Sequence, residues 1–407
     1  MEQQFVQGDS LFNRLNKITK QYDYLTEDIE TEVIIAGGGV TGALLAYYFT
    51  KNNVKCVVLE KGRIAHGSTG ITTSLLQYEL DGKVNELLEY TSKENVIESY
   101  RLGQKALQEI DDFITAYGNK CQYEKKDALL YTSKKLEFDE IKAEYEIRKE
   151  NGFDVEFIDE NNNPFSFDLK AGVYSKNAGA QFDPYQFTHQ LLEVAEEKGA
   201  RIYENTEIVK VNYTDDKAVA VTQYENRVSG KILIVATGYN TSIFTNRQFG
   251  TKTTTYNIAT KPVADFNGWY NKVLIKDNNI PYNYYRTTYD NRIIAGGGDI
   301  PFIPNIFDEK AADEKYSILE NRIKNMFSNI EDIEVEYKYC GCFASTDDNL
   351  GFLGKDPENL KLWYCLGYGA NGILFAVLGG MMLSRLYLGE EDKALKLFRI
   401  DRFDQNK

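Results

Sequence analysis

Residues 33–49 read V-I-I-A-G-G-G-V-T-G-A-L-L-A-Y-Y-F. A β-branched run leads into glycines at 37, 39 and 42, and an apolar stretch follows. That order predicts a strand, a tight turn and a helix, and V-K-C-V-V-L-E at 54–60 supplies a second strand. Together they make a βαβ unit of about 30 residues. Each glycine has its own task. Gly37 makes the tight turn, Gly39 lets backbone approach a pyrophosphate, and Gly42 lets the helix pack close to the strand. The helix start, with Val40 and Thr41, offers N–H groups and the positive end of a helix dipole to phosphate. Glu60 closes the second strand 18 residues beyond Gly42, where a carboxylate accepts hydrogen bonds from ribose hydroxyls. A turn that only packs a helix on a sheet leaves Glu60 unexplained; dinucleotide binding explains both. The fingerprint alone fits NAD and FAD equally.

At 407 residues the chain is too long for one ordinary core, so two domains are expected. A net charge of −14 argues against a broad nucleic-acid face and against an anionic membrane surface, and serves solubility. The five cysteines are odd in number and scattered, and M-E-Q-Q-F-V-Q-G-D-S lacks the basic-then-apolar layout of a signal peptide. A reducing, cytoplasmic setting is the expectation. The longest apolar run, Gly372 to Leu383, falls short of the ~20 residues that span a bilayer, so it is expected as a buried helix with no membrane span. His66 and His189 are the whole histidine supply, and Cys340 and Cys342 have no evident partners. Neither a metal site nor a Ser/His/Asp set is therefore expected.

Apolar spacing predicts a helix over 94–117, and the charged stretch 134–150 predicts a solvent-facing one. A short helix from Tyr185 ends at Gly199, and strands follow in A-R-I-Y-E, T-E-I-V-K-V-N-Y and K-I-L-I-V-A-T-G. Residues 253–300 read as β-rich, with a hairpin turned at Asp290–Asn291, and a helix covers about 308–327.

Four separated motifs carry a family resemblance. V-V-L-E-K-G-R-I-A-H-G-S-T-G-I-T-T-S (57–74) follows the ribose acid. D-P-Y-Q-F-T-H-Q-L-L-E-V-A-E-E-K-G-A-R-I-Y-E-N-T-E-I (183–208) leads to a strand, I-L-I-V-A-T-G (232–238) ends one, and G-Y-G-A-N-G-I-L (367–374) opens a helix. In this order they resemble the D-amino-acid oxidase or glycine oxidase-like superfamily of FAD-dependent oxidoreductases, nearest in pattern to the γ-glutamylputrescine oxidase-like branch. The resemblance implies an α/β fold: a Rossmann-like FAD-binding domain with a β-rich (α+β) substrate domain. It implies cofactor contacts from Lys61, Arg63, Ser68, Thr69, Thr72 and Thr73, from Ile208, and from Ala236, Thr237 and Gly238. It also implies contacts from Gly369, Asn371, Gly372 and Ile373, where N–H groups at a helix start stabilise negative charge on the reduced flavin. FAD is expected to be bound without a covalent link, because Cys340 and Cys342 flank, rather than occupy, the position where some relatives attach it. The Gly67–Ser74 run also resembles a branch with an appended Rieske domain, but no C-x-H and C-x-x-H pair stands here to hold such a cluster.

The expected division is an N-terminal extension over 1–30, an FAD domain from 31–90, 170–250 and 340–407, and a substrate domain from 91–169 and 251–339. The implied reaction is hydride transfer from the C–H of a small amine or amino acid to flavin N5. Two alternatives stay open: a flavin dehydrogenase of a hydroxy acid or polyol, and a flavin-binding subunit without turnover. The positions where the family carries a carboxylate-gripping arginine hold Phe343 and Ala370. Arg286 and Tyr368 are the replacement candidates for a substrate contact, against a solvent-facing strand arginine and a packed core tyrosine. Arg292 is expected to be structural.

Overall fold

The computed structural model describes residues 5–17, 20–369 and 371–404. Its organising element is a six-stranded sheet. Strand order is Phe352–Lys355, Leu362–Leu366, Ile232–Val235, Val33–Ala36, Cys56–Leu59 and Arg201–Tyr203. All neighbours are parallel except the first pair. Val33–Ala36 is buried along its whole length, as a central parallel strand covered on both faces must be. The helix Val40–Lys51 is buried on nearly every side, because Pro184–Glu197 and Gly372–Tyr387 pack against it. The latter approaches closely through Gly380, where a Cβ would stand 2.4 Å from Cδ2 of Tyr48 and 3.1 Å from the Leu44 carbonyl oxygen.

Local signals placed the helices well. Lys93–Tyr117 starts where the Ser92 side chain accepts from Asn95 N, and stops at Gly118, whose φ is +84°. Pro184–Glu197 starts at Asp183, whose carboxylate accepts from the N–H groups of Tyr185 and Gln186. Phe138–Glu150 and Glu309–Met326 occupy the two remaining segments read as helical.

The second large element is a ten-stranded sheet. It runs Val6–Gly8, Val335–Ser345, Thr251–Thr260, Ile293–Pro301, Tyr284–Thr287, Leu274–Asp277, Glu124–Thr132, Ala171–Gln181 and Leu75–Gln77, with Val155–Asp159 also on Ala171–Gln181. The hairpin read at Asp290–Asn291 joins two of these strands, and Asn291 has φ +61°. One face of the sheet forms a core with Glu309–Met326 through Tyr256, Ile258, Ile275, Tyr285 and Ile293. A smaller four-stranded sheet carries Ile208–Tyr213.

The sheets do not divide at the expected boundaries. Ala171–Gln181 pairs along Glu124–Thr132, Leu75–Gln77 pairs with Ala171–Gln181, and Val335–Ser345 runs through residue 340. Segments assigned to the dinucleotide half are thus strands of the large sheet. Small residues permit this approach: a Cβ on Gly179 would lie 2.1 Å from the Leu76 carbonyl oxygen. The N-terminal extension likewise does not stand apart from the sheets. Besides the helix Leu11–Leu15 it gives Val6–Gly8 to the large sheet and Ile29–Glu30 to the small one. All five cysteines are buried free thiols. Among the described residues no helix is long and apolar enough to cross a membrane.

Candidate active site

A cavity of about 640 Å³ runs from the glycine turn to the large sheet. At one end the turn behaves as its spacing predicts. Gly37 has φ +109°, and a Cβ there would lie 2.5 Å from the Ala236 carbonyl oxygen. Gly42 does not line the cavity; its place is the helix–turn contact, where a Cβ would sit 1.9 Å from the Gly37 carbonyl oxygen. Gly39, Val40 and Thr41 do face the cavity. A Cβ on Gly39 would meet only the Thr69 hydroxyl, which already accepts a hydrogen bond from Val40 N at 3.0 Å.

Glu60 lies beside the turn. Its carboxylate accepts from Gly38 N at 2.7 Å and Gly62 N at 2.8 Å, while burial pushes its pKa upward. Lys61 and Arg63 line the same end, and Arg63 Nε donates to the buried Glu204 at 3.2 Å. Ser68, Thr69, Thr72 and Thr73 form the wall beyond, and Ile208 closes it from the small sheet. Ala236, Thr237 and Gly238 follow the strand Ile232–Val235 and line the opposite wall. Gly369, Gly372 and Ile373 are on the lining too. Asn371 is not: its amide nitrogen donates to the Glu79 carbonyl at 2.7 Å, at the start of the C-terminal helix. Ala370 lies outside the described residues.

The two candidate substrate contacts are not brought to this cavity. Arg286 is buried with its guanidinium directed at the carbonyls of Thr73, Phe182 and Thr287, and it lines a separate small cavity with Phe12 and Asp183. Phe12, from the helix Leu11–Leu15, lies with its ring centre 5.4 Å from the guanidinium carbon, so the arginine faces neither this cavity nor solvent. Tyr368 is packed between Tyr239 and Phe352, and its hydroxyl donates to the Gly238 carbonyl at 3.1 Å. Arg292 pairs with Asp290 and Glu336 and donates to the Thr260 carbonyl, as a structural arginine does.

The floor of the cavity is made by residues that sequence reading passed over. Cross-strand partners place Asn257 beside Gly296, Gly296 beside Tyr284, and Tyr284 beside Lys276, a row across four strands. A Cβ on Gly296 would stand 2.3 Å from the Tyr284 ring, so glycine is what lets the phenol lie flat in the row. Tyr284 O–H donates to Asn257 Oδ1 at 3.1 Å. Lys276 Nζ lies 4.3 Å from the Tyr282 ring centre and 3.9 Å from Asp81 Oδ1, which also accepts from the Tyr282 hydroxyl at 2.8 Å. Burial draws the Lys276 pKa down. Asp81 Oδ2 lies 3.3 Å from where a Cβ on Gly369 would stand, which brings the floor against the C-terminal loop. The signal in the sequence was slight: Lys276 follows Leu274 and Ile275 in L-I-K-D, and Asn257 stands between Tyr256 and Ile258.

The residues present fit FAD. Gly67 and Gly238 have open space where a Cβ would stand, the cradle would lose that room with any larger residue, and the cavity continues well past the ribose acid. A pyrophosphate at Gly39–Thr41 and a ribose at Glu60 leave the floor for a flavin ring and its substrate.

Comparison with known proteins agrees. The model of the family described as DAO, FAD dependent oxidoreductase, matches residues 32–386. The chain is 24% identical over 388 residues to a Rieske 2Fe-2S iron-sulfur protein of Bacillus subtilis (strain 168), covering 94% of this chain and 73% of that one. It is 22% identical over 390 residues to gamma-glutamylputrescine oxidoreductase of Escherichia coli (strain K12), covering 91% and 87%. The crystal structure of L-proline dehydrogenase from P. horikoshii superposes with a TM-score of 0.78 at 18% identity, over 94% of this chain and 100% of the other. At that identity the likeness is one of fold.

Proposed function

Because the chain belongs to the DAO family of FAD dependent oxidoreductases, we propose that it oxidises a small amine or amino acid at the carbon beside nitrogen. The observation that carries this reading is the single cavity joining the glycine cradle to the polar floor of the large sheet. FAD, when bound, supplies the acceptor for a hydride and its two electrons; the amine loses a proton as well and leaves as an imine, which water hydrolyses.

The chain's own residues hold and shield. Glu60 would accept ribose hydroxyls with the lone pairs that Gly38 and Gly62 leave free, and backbone at Gly39 and Thr41 would meet pyrophosphate. Gly369 and Gly372, on the cavity lining, would place N–H groups at the flavin's pyrimidine end. Arg286 and Tyr368 act one step back, as positioning residues: one fastens the Thr73 carbonyl, the other the Gly238 carbonyl, so that opposite walls keep their spacing. Phe343, where the resemblance led us to look for an arginine, adds apolar cover. A base of high strength is not needed, since placing the C–H near the acceptor does most of the work.

The test is an anaerobic titration of the FAD-loaded protein with a panel of amines, amino acids and hydroxy acids. Loss of the visible flavin band with an amine or amino acid is the expected result. Loss with hydroxy acids alone would replace this reading by that of a hydroxy-acid dehydrogenase, and no loss with any compound would point to a flavin-retaining subunit.

A further inference from the structure

We propose that Asp299 accepts a remote ammonium group of the substrate, so that this enzyme takes amines carrying a second cation rather than small amino acids held by their carboxylate. The inference rests on reading the cavity as an amine-oxidising site.

Asp299 reaches the cavity at the end of A-G-G-G-D. Gly296 gives way to the Tyr284 ring, and Gly298, with φ +71°, turns the strand just before the acid. Asp299 Oδ1 is buried and meets no hydrogen-bond donor among the described residues. A buried carboxylate oxygen left in that state costs free energy that an incoming donor would recover. Thr255 hydrogen-bonds to the side chain, and Lys315 acts on it through charge. Burial, with Asp81 adding repulsion, raises the Asp299 pKa, which is the strain a bound cation would relieve.

The other charged groups of the floor do not offer a carboxylate a comparable partner. Lys276 is committed to Asp81: its Nζ donates to the Asp81 carbonyl and lies 3.9 Å from Oδ1. The floor thus lines two carboxyl side chains, Asp81 and Asp299, against one lysine, Lys276. Among the described lining residues, the only arginine is Arg63, at the far, ribose end beside Glu60. The phenol rings of Tyr282 and Tyr284 face the same space and suit a cation in passing. The reacting nitrogen must be neutral to lose a hydride from its neighbouring carbon, so the ammonium held at Asp299 is a second one.

Three probes isolate the point, because they share a reacting end and differ in the remote group: butylamine, 1,4-diaminobutane and 4-aminobutanoate. Binding to the FAD-loaded enzyme is read by calorimetry, independently of turnover, and flavin bleaching is read separately. Wild type is expected to bind 1,4-diaminobutane most tightly. Asp299→Asn is expected to weaken that binding by about 100-fold, leaving the diamine no better than butylamine. Asp299→Glu should restore part of the preference, and an unchanged FAD content in both variants shows that the fold survives. The proposal is overturned if 4-aminobutanoate binds best and Lys276→Met removes that preference. It is equally overturned if D299N leaves the three affinities unchanged. If the diamine binds through Asp299 but no amine or amino acid bleaches the flavin, the recognition stands and the oxidation proposed above fails instead.

Discussion

At Gly42 the space left for a side chain is smaller than a methyl group, and the reason was readable in advance. Spacing alone tells which glycine turns the chain and which packs the helix. Asp299, Lys276 and Tyr284 were not readable in that way. Whether a strand residue faces a cavity or a core depends on its partners, and these partners lie up to dozens of residues away. His189 shows what one buried side chain does to the pH response. Both ring nitrogens lack a partner among the described residues, and burial pulls its pKa down to about 4. Below its ordinary value near 6.5 the unfolded chain takes up a proton that the folded chain refuses until about pH 4. Stability is therefore unaffected above pH 6.5, falls as pH drops towards 4, and loses at most about 3 kcal/mol. Denaturant melts across this range should show that fall in wild type and a shallower one in His189→Phe.

Elements were legible where local rules govern them. Helical spacing and caps located Lys93–Tyr117 and Glu309–Met326 to within a residue or so, since a helix satisfies its own backbone. Sheet membership was not, and Ala171–Gln181 is the case in point: it fell within the segment assigned to the dinucleotide half, whereas long-range pairing makes it a strand of the other sheet. The packing of Gly372–Tyr387 on Val40–Lys51 was also hidden, because two apolar helices announce burial but not which one they meet. Gly380 sets their separation. Gly380→Val is expected to force the helices apart and cost on the order of 2–3 kcal/mol, as overpacked cores do. The measurements are the melting temperature and the FAD retained through gel filtration. Both should fall together, because the helix being displaced is the one that opens on the cavity.

At the scale of the molecule, one cavity borders all three sheets, so the cofactor binds only to a chain that has assembled them. A ligand that binds the folded state alone stabilises it by about 4 kcal/mol at a thousandfold excess over Kd. Apoprotein reloaded with FAD should therefore melt at a clearly higher temperature. The linkage is expected to be noncovalent. Cys342 borders the cavity, but burial pushes its thiol up to about 12, and Cys340 belongs to the opposite core. Acid precipitation should leave the yellow colour in the supernatant; a yellow pellet would refute the noncovalent reading.

The row Asn257–Gly296–Tyr284–Lys276 has a consequence for how such an enzyme diverges. Along each of these strands one residue looks into the cavity, and the next, such as Tyr256, Ile275, Tyr285 or Ala295, is locked in the core beneath. Chemistry and architecture are thus written on alternate letters of the same four words. Evolution, or a designer, can respell the first set to admit a new substrate while the second keeps the sheet intact.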